Sequence, residues 1–245
     1  MRNFKAIFRK QLKDTLKNPA VLINFFLFPL VALMMNFFAM PSIEGVPAEI
    51  ADIIAAGMPN MALMMAAMFI GAGLIPPVAG FIAEDIEKKS LRFLTMAGVK
   101  PVSYLLGVGG VSLFLSAITS IAFGLISDFR GIDMWIFVAA LMSAALASVL
   151  LGAMVGIASK NQQSAAGLSL PAAMVLGFGP MMAQFNPAIG RILHPFYTQQ
   201  LNLVADSLGG TADTPLWQAF AIIWANVAVL GILFAVVYQK KGLKG

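Results

Sequence analysis

Residues 134–158 read MWIFVAALMSAALASVLLGAMVGIA, 25 residues without a single charge. About 20 predominantly apolar residues suffice for a helix to cross a hydrocarbon layer roughly 30 Å thick, so this stretch predicts a transmembrane helix. Five more such runs flank it: 20–40, 60–82 and 102–127 before it, 165–184 and 216–238 after it. Together the six occupy 138 of the 245 residues. Composition agrees: 60% hydrophobic, 11% charged, mean hydropathy +0.87. An ordinary soluble domain is roughly 45–50% apolar and about 25% charged. The expected fold is therefore an all-α integral membrane protein, one transmembrane domain over 1–245. Too little chain lies outside the spans to form a nucleotide-hydrolysing domain, and no stretch resembles Gly-x-x-x-x-Gly-Lys-[Ser/Thr].

The basic residues orient the spans. If both termini lie on one side, that side holds 14 of the 16 Lys and Arg, and only Arg130 and Arg191 fall opposite. Cytoplasmic loops carry such an excess, so both termini are expected in the cytoplasm, in the cell (plasma or inner) membrane. Trp135 and Trp217 open spans on the outer side, and Tyr104 and Tyr238 sit near the inner side, as interfacial rings do. Topology thus accounts for the net charge of +5 and removes nucleic acid as a partner. The first apolar run is of full span length and ends in no small-residue cleavage site, so it is expected to be retained.

The chain has no cysteine and one histidine, His194, which excludes thiol chemistry and Cys-ligated metals. All eleven Asp and Glu lie outside the six runs. Ion-coupled transporters and voltage sensors place ionisable groups within the membrane. Uphill transport by this chain would draw its energy from elsewhere.

Two segments are amphipathic. In 4–16, Phe4, Ile7, Phe8, Leu12 and Leu16 recur at three- and four-residue steps among basic residues, which suits a helix in the inner interface (1–19), although a topogenic basic tail has the same pattern. Asn18-Pro19 ends it. After the second span, 84–98 puts acids before bases, with Ile86, Ser90, Phe93, Leu94 and Ala97 on one face and Gly98 and Pro101 as stops. Such a helix can dock in a partner's groove or rest on the bilayer.

At these residues the chain resembles the membrane subunits of ABC-2 type exporters. In that family the loop runs roughly Glu-x-x-x-Gly-Thr-Leu-x-x-Leu, then a proline and a Tyr-Leu-Leu-Gly-like stretch. Here it stands as Glu84-Asp-Ile-Glu87-Lys-Lys89-Ser90-Leu91-Arg-Phe-Leu94, then Pro101-Val-Ser-Tyr104-Leu-Leu-Gly107. Lys89-Ser90 replaces the Gly-Thr. The resemblance implies that 84–98 is a coupling helix docking on a separate ATP-binding cassette subunit through Glu84, Asp85, Ile86, Glu87, Ser90, Arg92, Phe93 and Leu94. It implies two such subunits per complex, which bind the ATP and Mg, and a second permease copy or a related chain. This chain itself would bind no cofactor and no metal and catalyse nothing. The resemblance also implies two short outer helices in 185–215.

Small residues at four-residue steps, Ala140, Ala144, Ser148, Gly152 and Gly156 in the fourth span and Ser112, Ser116 and Ser120 in the third, predict close helix packing, most simply against one another. Of sixteen methionines, eleven lie in or beside the first, second and fifth spans, which by the resemblance border the pathway. Flexible methionines fit an adaptable wall as well as ordinary filler. Asn24, Met35, Asn36, Met64, Met68, Met174, Met181 and Gln184 are the candidate path residues; the amides among them also fit simple helix-to-helix bonding. Apolar walls without charge favour a lipophilic or amphipathic cargo, such as a membrane-active peptide or drug. A serine protease in the membrane would need Ser169 beside His194, and these are expected at opposite ends of the fifth span. A channel or membrane assembly factor is the remaining alternative.

Overall fold

The 134–158 run lies within the helix at the centre of the fold. The computed structural model describes residues 2–39, 61–90, 96, 101–210 and 214–242. Its helices are α1 (Arg2–Lys17), α2 (Pro19–Ala39), α3 (Met61–Met68), a π-helical segment (Phe69–Gly73), α4 (Ile75–Glu87), α5 (Pro101–Ile126), α6 (Gly131–Ala158), α7 (Gln162–Phe185), α8 (Pro187–Leu193), α9 (Tyr197–Leu208) and α10 (Leu216–Gly242). Six helical stretches are long and apolar enough to cross a bilayer: Val21–Phe38, Ala62–Glu87, Ser103–Ile126, Gly131–Ala158, Gln162–Phe185 and Leu216–Tyr238. No strand occurs among the described residues. The fold is an all-α membrane fold.

Helix α6 packs against α4, α5, α9 and α10. Its small stripe explains how. Ala140, Ala144, Ser148, Gly152 and Gly156 are all buried. A Cβ added at Gly152 would stand 2.8 Å from the Ile75 carbonyl oxygen, and one at Gly156 2.7 Å from that of Ala79. Backbone therefore meets backbone, which is how helices associate where lipid supplies no hydrophobic drive. Ser148, Gly152 and Gly156 of the stripe meet the second span. Ser112, Ser116 and Ser120 of α5 are buried too; the hydroxyls of Ser116 and Ser120 donate to the carbonyls of Ser112 and Ser116, at 2.8 and 2.6 Å, within their own helix.

The second span is not one regular helix. Its sequence Gly71-Ala-Gly-Leu-Ile-Pro-Pro77 explains the break, because Pro76 and Pro77 offer no N–H to the turn above them. The π-helical segment fills the gap. Phe69 anchors it against Phe25, Phe123 and Phe28, with ring centroids 5.7, 6.0 and 6.1 Å away. Gly71 lies against the backbone of Leu176 and Gly177, where a Cβ would collide. The Ser148 hydroxyl donates to the Ile70 carbonyl at 2.7 Å and lies 2.8 Å from the Tyr197 hydroxyl, so α6 ties the π-helical segment to α9.

Asn161 and Asn186 cap α7 and α8, their side-chain oxygens accepting from Ser164 N and Ala188 N at 2.8 and 2.9 Å. Between the fifth and sixth spans the chain forms α8 and α9. The α9 turn Tyr197–Asn202 is buried although mostly polar. Burial holds the Tyr197 phenol well above the ordinary tyrosine range.

Candidate functional site

The second span ends later than its sequence suggests. Helix α4 runs unbroken through Glu87. Glu84, Asp85, Ile86 and Glu87 are thus the last turn of the second span, and no separate helix starts at 84. The helix stops because Lys89 takes a left-handed backbone, φ 57°, and its N–H returns to the Ile86 carbonyl at 3.0 Å. Glycine is the residue that adopts this conformation freely, and here a lysine takes it.

Each acid of that last turn has a partner of its own. Glu84 pairs with Lys88 one turn on. Asp85 is turned inward: its Oδ2 accepts from the Tyr104 hydroxyl at 2.7 Å, and Lys10 Nζ lies 3.8 Å from Oδ1. Ile86 packs against the hydrophobic core. Glu87 is exposed, and its Oε2 accepts from the Gln162 backbone N–H at 3.3 Å. A carboxylate there also faces the positive end of α7. Ser90 is half-buried. Arg92, Phe93 and Leu94 lie outside the described residues. Asp85 and Ile86 therefore face the protein, Glu84 is half-buried on the side of α1, and Glu87 faces outward.

The N-terminal helix is packed as well. Ile7, Phe8 and Leu12 are partly buried against the core. Ile7 fits against Gly107 of α5, where a Cβ would have no room, and Phe8 meets Phe114 edge to face at 6.5 Å. Phe4 belongs to α1, but its side chain lies outside the described residues. Ile7 and Phe8 of the α1 stripe are covered by α5 while Leu16 stays exposed, and α1, α4 and α5 meet at a junction with Asp85 at its centre.

The candidate path residues do not converge on one lining. Asn24, Met35 and Asn36 are half-buried on α2, and the Asn36 amide donates to the Ile126 carbonyl at 3.0 Å. Met64 is buried and Met68 half-buried on α3. On α7, Met174 and Gln184 are exposed and Met181 is half-buried. Helix α3 packs against both α2 and α7, so the three helices stand side by side, with Asn36 in a bonding role.

Ser169 and His194 are kept apart. Ser169 is buried and donates to the Ala166 carbonyl at 3.0 Å. Leu193, beside His194, packs at Gly179, ten residues or roughly 15 Å along α7 from Ser169.

Tyr104, Lys10, Gln162, Ser148 and Tyr197 were not singled out as site residues by sequence. Tyr104 stood in the Tyr-Leu-Leu-Gly stretch but read as an interfacial ring. Ser148 stood in the small-residue stripe but only as a packing position, and Lys10, Gln162 and Tyr197 carry no spacing signal, since each acts across 49 or more residues of chain.

No curated protein matches the sequence. A family model described as ABC-2 type transporter matches residues 2–187. That match runs from the first turn of α1, through the Asp85 junction and the loop beyond it, to the end of the fifth span. The junction and the six-span architecture thus have one common explanation: the chain belongs to the ABC-2 type transporter family and is the membrane-spanning permease of an ABC transporter.

Proposed function

We propose that this permease works as an exporter, energised by two ATP-binding subunits that dock at the loop after α4, and that it moves a lipophilic or amphipathic cargo such as a membrane-active peptide or drug. The observation that carries the reading is α4 itself. It is one uninterrupted helix from Ile75, just below the π-helical segment, to Glu87 at the loop. A push on the loop acts on a rigid strut. The strut's far end meets the π-helical segment, and its flank meets α6 backbone to backbone. Residues 4–16 are linked to it through α5, on which α1 packs and whose Tyr104 holds Asp85.

The cargo class follows from the walls. The outward faces of α2 and α7 carry Phe26, Leu30, Leu33, Phe37, Leu170, Met174 and Val175, all exposed in the single chain. A small charged solute would meet no compensating charge there. A second copy of the chain, or a related permease, would close the path.

The test is reconstitution of the permease with its co-purifying ATP-binding subunit in vesicles. Arg92→Glu, in the loop, is expected to lower transport per ATP hydrolysed about tenfold or more while ATP hydrolysis continues. Glu87→Gln, which also loosens the start of α7, is expected to act in the same direction. A chain that purifies alone and carries cargo without ATP would replace this reading with a channel.

A further inference from the structure

Two charged stripes face each other where α1 meets the inner end of α4. On α1 they are Lys10, Asp14 and Lys17, one turn apart, with Gln11 and Asn18 alongside; on α4 and just beyond it, Phe81, Glu84, Asp85 and Lys88. Stripes alternating in sign would be expected to close into ion pairs. They do not. Among the described residues only Lys10 to Asp85 crosses the gap, at 3.8 Å, while Lys88 turns back to Glu84. A polar cavity of about 330 Å³ remains between them. That is far more space than one ion needs.

Two polar residues in its wall are buried, Gln11 at 8% and Asp85 at 9% exposure. They form its floor, while Lys10, Asp14, Lys17, Asn18 and Lys88 form an exposed rim. The lining carries three cations, three anions and one aromatic ring. The charges of Asp85 and Asp14, together with the Glu84 bond that dominates, raise the Lys88 ammonium pKa, so acids from both stripes face this gap.

We infer that this cavity binds the zwitterionic headgroup of an inner-leaflet aminophospholipid. The phosphate lies between Lys10 and Lys17 with the Gln11 amide as a further donor. The ammonium lies toward Asp14 and Glu84, and Phe81 borders the glycerol. The position supports a lipid over a soluble ligand, because α1 joins a membrane span directly through Asn18 and the cavity lies at the inner end of another. Balanced charge supports a zwitterion over an anionic lipid, which would leave Asp14 and Glu84 facing a phosphate. The inference needs only a bilayer around the chain, so it stands apart from the exporter reading.

The experiment uses the full chain, delipidated in detergent, titrated with short-chain phosphatidylethanolamine, short-chain phosphatidylglycerol, and soluble phosphoethanolamine. Thermal unfolding and native mass spectrometry are the readouts. The expected result is saturable binding of phosphatidylethanolamine, at least tenfold tighter than of the other two. Asp14→Asn and Lys17→Gln, both at exposed positions, should each weaken it by about tenfold, a single charge-assisted contact. Gln11→Leu should weaken it further; because it alters a buried position, its unfolding temperature without lipid is the control for folding. Equal response to phosphatidylglycerol, or binding untouched by Asp14→Asn and Lys17→Gln, would overturn the inference. So would phosphoethanolamine binding as tightly as the lipid, which assigns a soluble ligand. Loss of the lipid on adding the ATP-binding subunit would assign the cavity to that subunit instead.

Discussion

Asp85 is held by two partners that are far from equal. Tyr104 is almost fully buried and donates at 2.7 Å; the Lys10 side chain is 64% exposed and 3.8 Å away. An exposed ion pair is worth roughly 0–1 kcal/mol, whereas a buried polar group left without its partner costs about 1–3 kcal/mol. Tyr104→Phe is therefore expected to lower the unfolding temperature of the detergent-purified chain clearly, and Lys10→Ala to change it little. Equal effects would mean that the carboxylate is held by charge and not by the hydroxyl. Lys89 offers the opposite case. A left-handed backbone costs a non-glycine residue about 1–2 kcal/mol. Lys89→Gly is expected to recover part of this and to raise the unfolding temperature by a few degrees. A loss instead would mean that the Lys89 side chain supplies a contact worth more than the strain.

At the scale of elements, the broken second span decides the most. Gly71 sits against the backbone of Leu176 and Gly177, so a side chain there must push α7 away. Overpacking of this kind costs typically 1–3 kcal/mol, and a backbone obstacle cannot rotate aside. Gly71→Ala is expected to destabilise by that order. Gly80→Ala, in the same span but with nothing within 4 Å of the added Cβ, is expected to be neutral or stabilising by up to about 1 kcal/mol. Thermal unfolding of the pair tests whether the contact, rather than glycine content, carries the effect. The six spans were legible because an apolar run of 20 or more residues has few other uses. The π-helical segment was not, since Pro76-Pro77 announces a break but not how the chain bridges it. The end of the second span was misread for a related reason. Acids after Ile82 look like the start of a solvated helix, and only Tyr104 and Gln162, distant in sequence, show why Asp85 and Glu87 belong to the span.

For the whole molecule, the charge asymmetry makes a prediction about sidedness. Because the chain has no native cysteine, single cysteines report cleanly. Lys160→Cys, beside the start of α7, should react with an impermeant maleimide only after the cell is opened, and Arg130→Cys, before α6, should react in intact cells. The reverse pattern would invert the topology. The contact between Gly71 and Gly177 has another consequence, for synthesis. The fifth span is the least apolar of the six and carries Pro171 and Pro180 within its helix. It leaves the ribosome about a hundred residues after the second span has entered the membrane. Until then the second span lacks the neighbour that covers Gly71. The nascent chain therefore passes through a stage in which its most deeply buried span faces lipid or the insertion machinery, and maturation of this permease is completed from its C-terminal half backward.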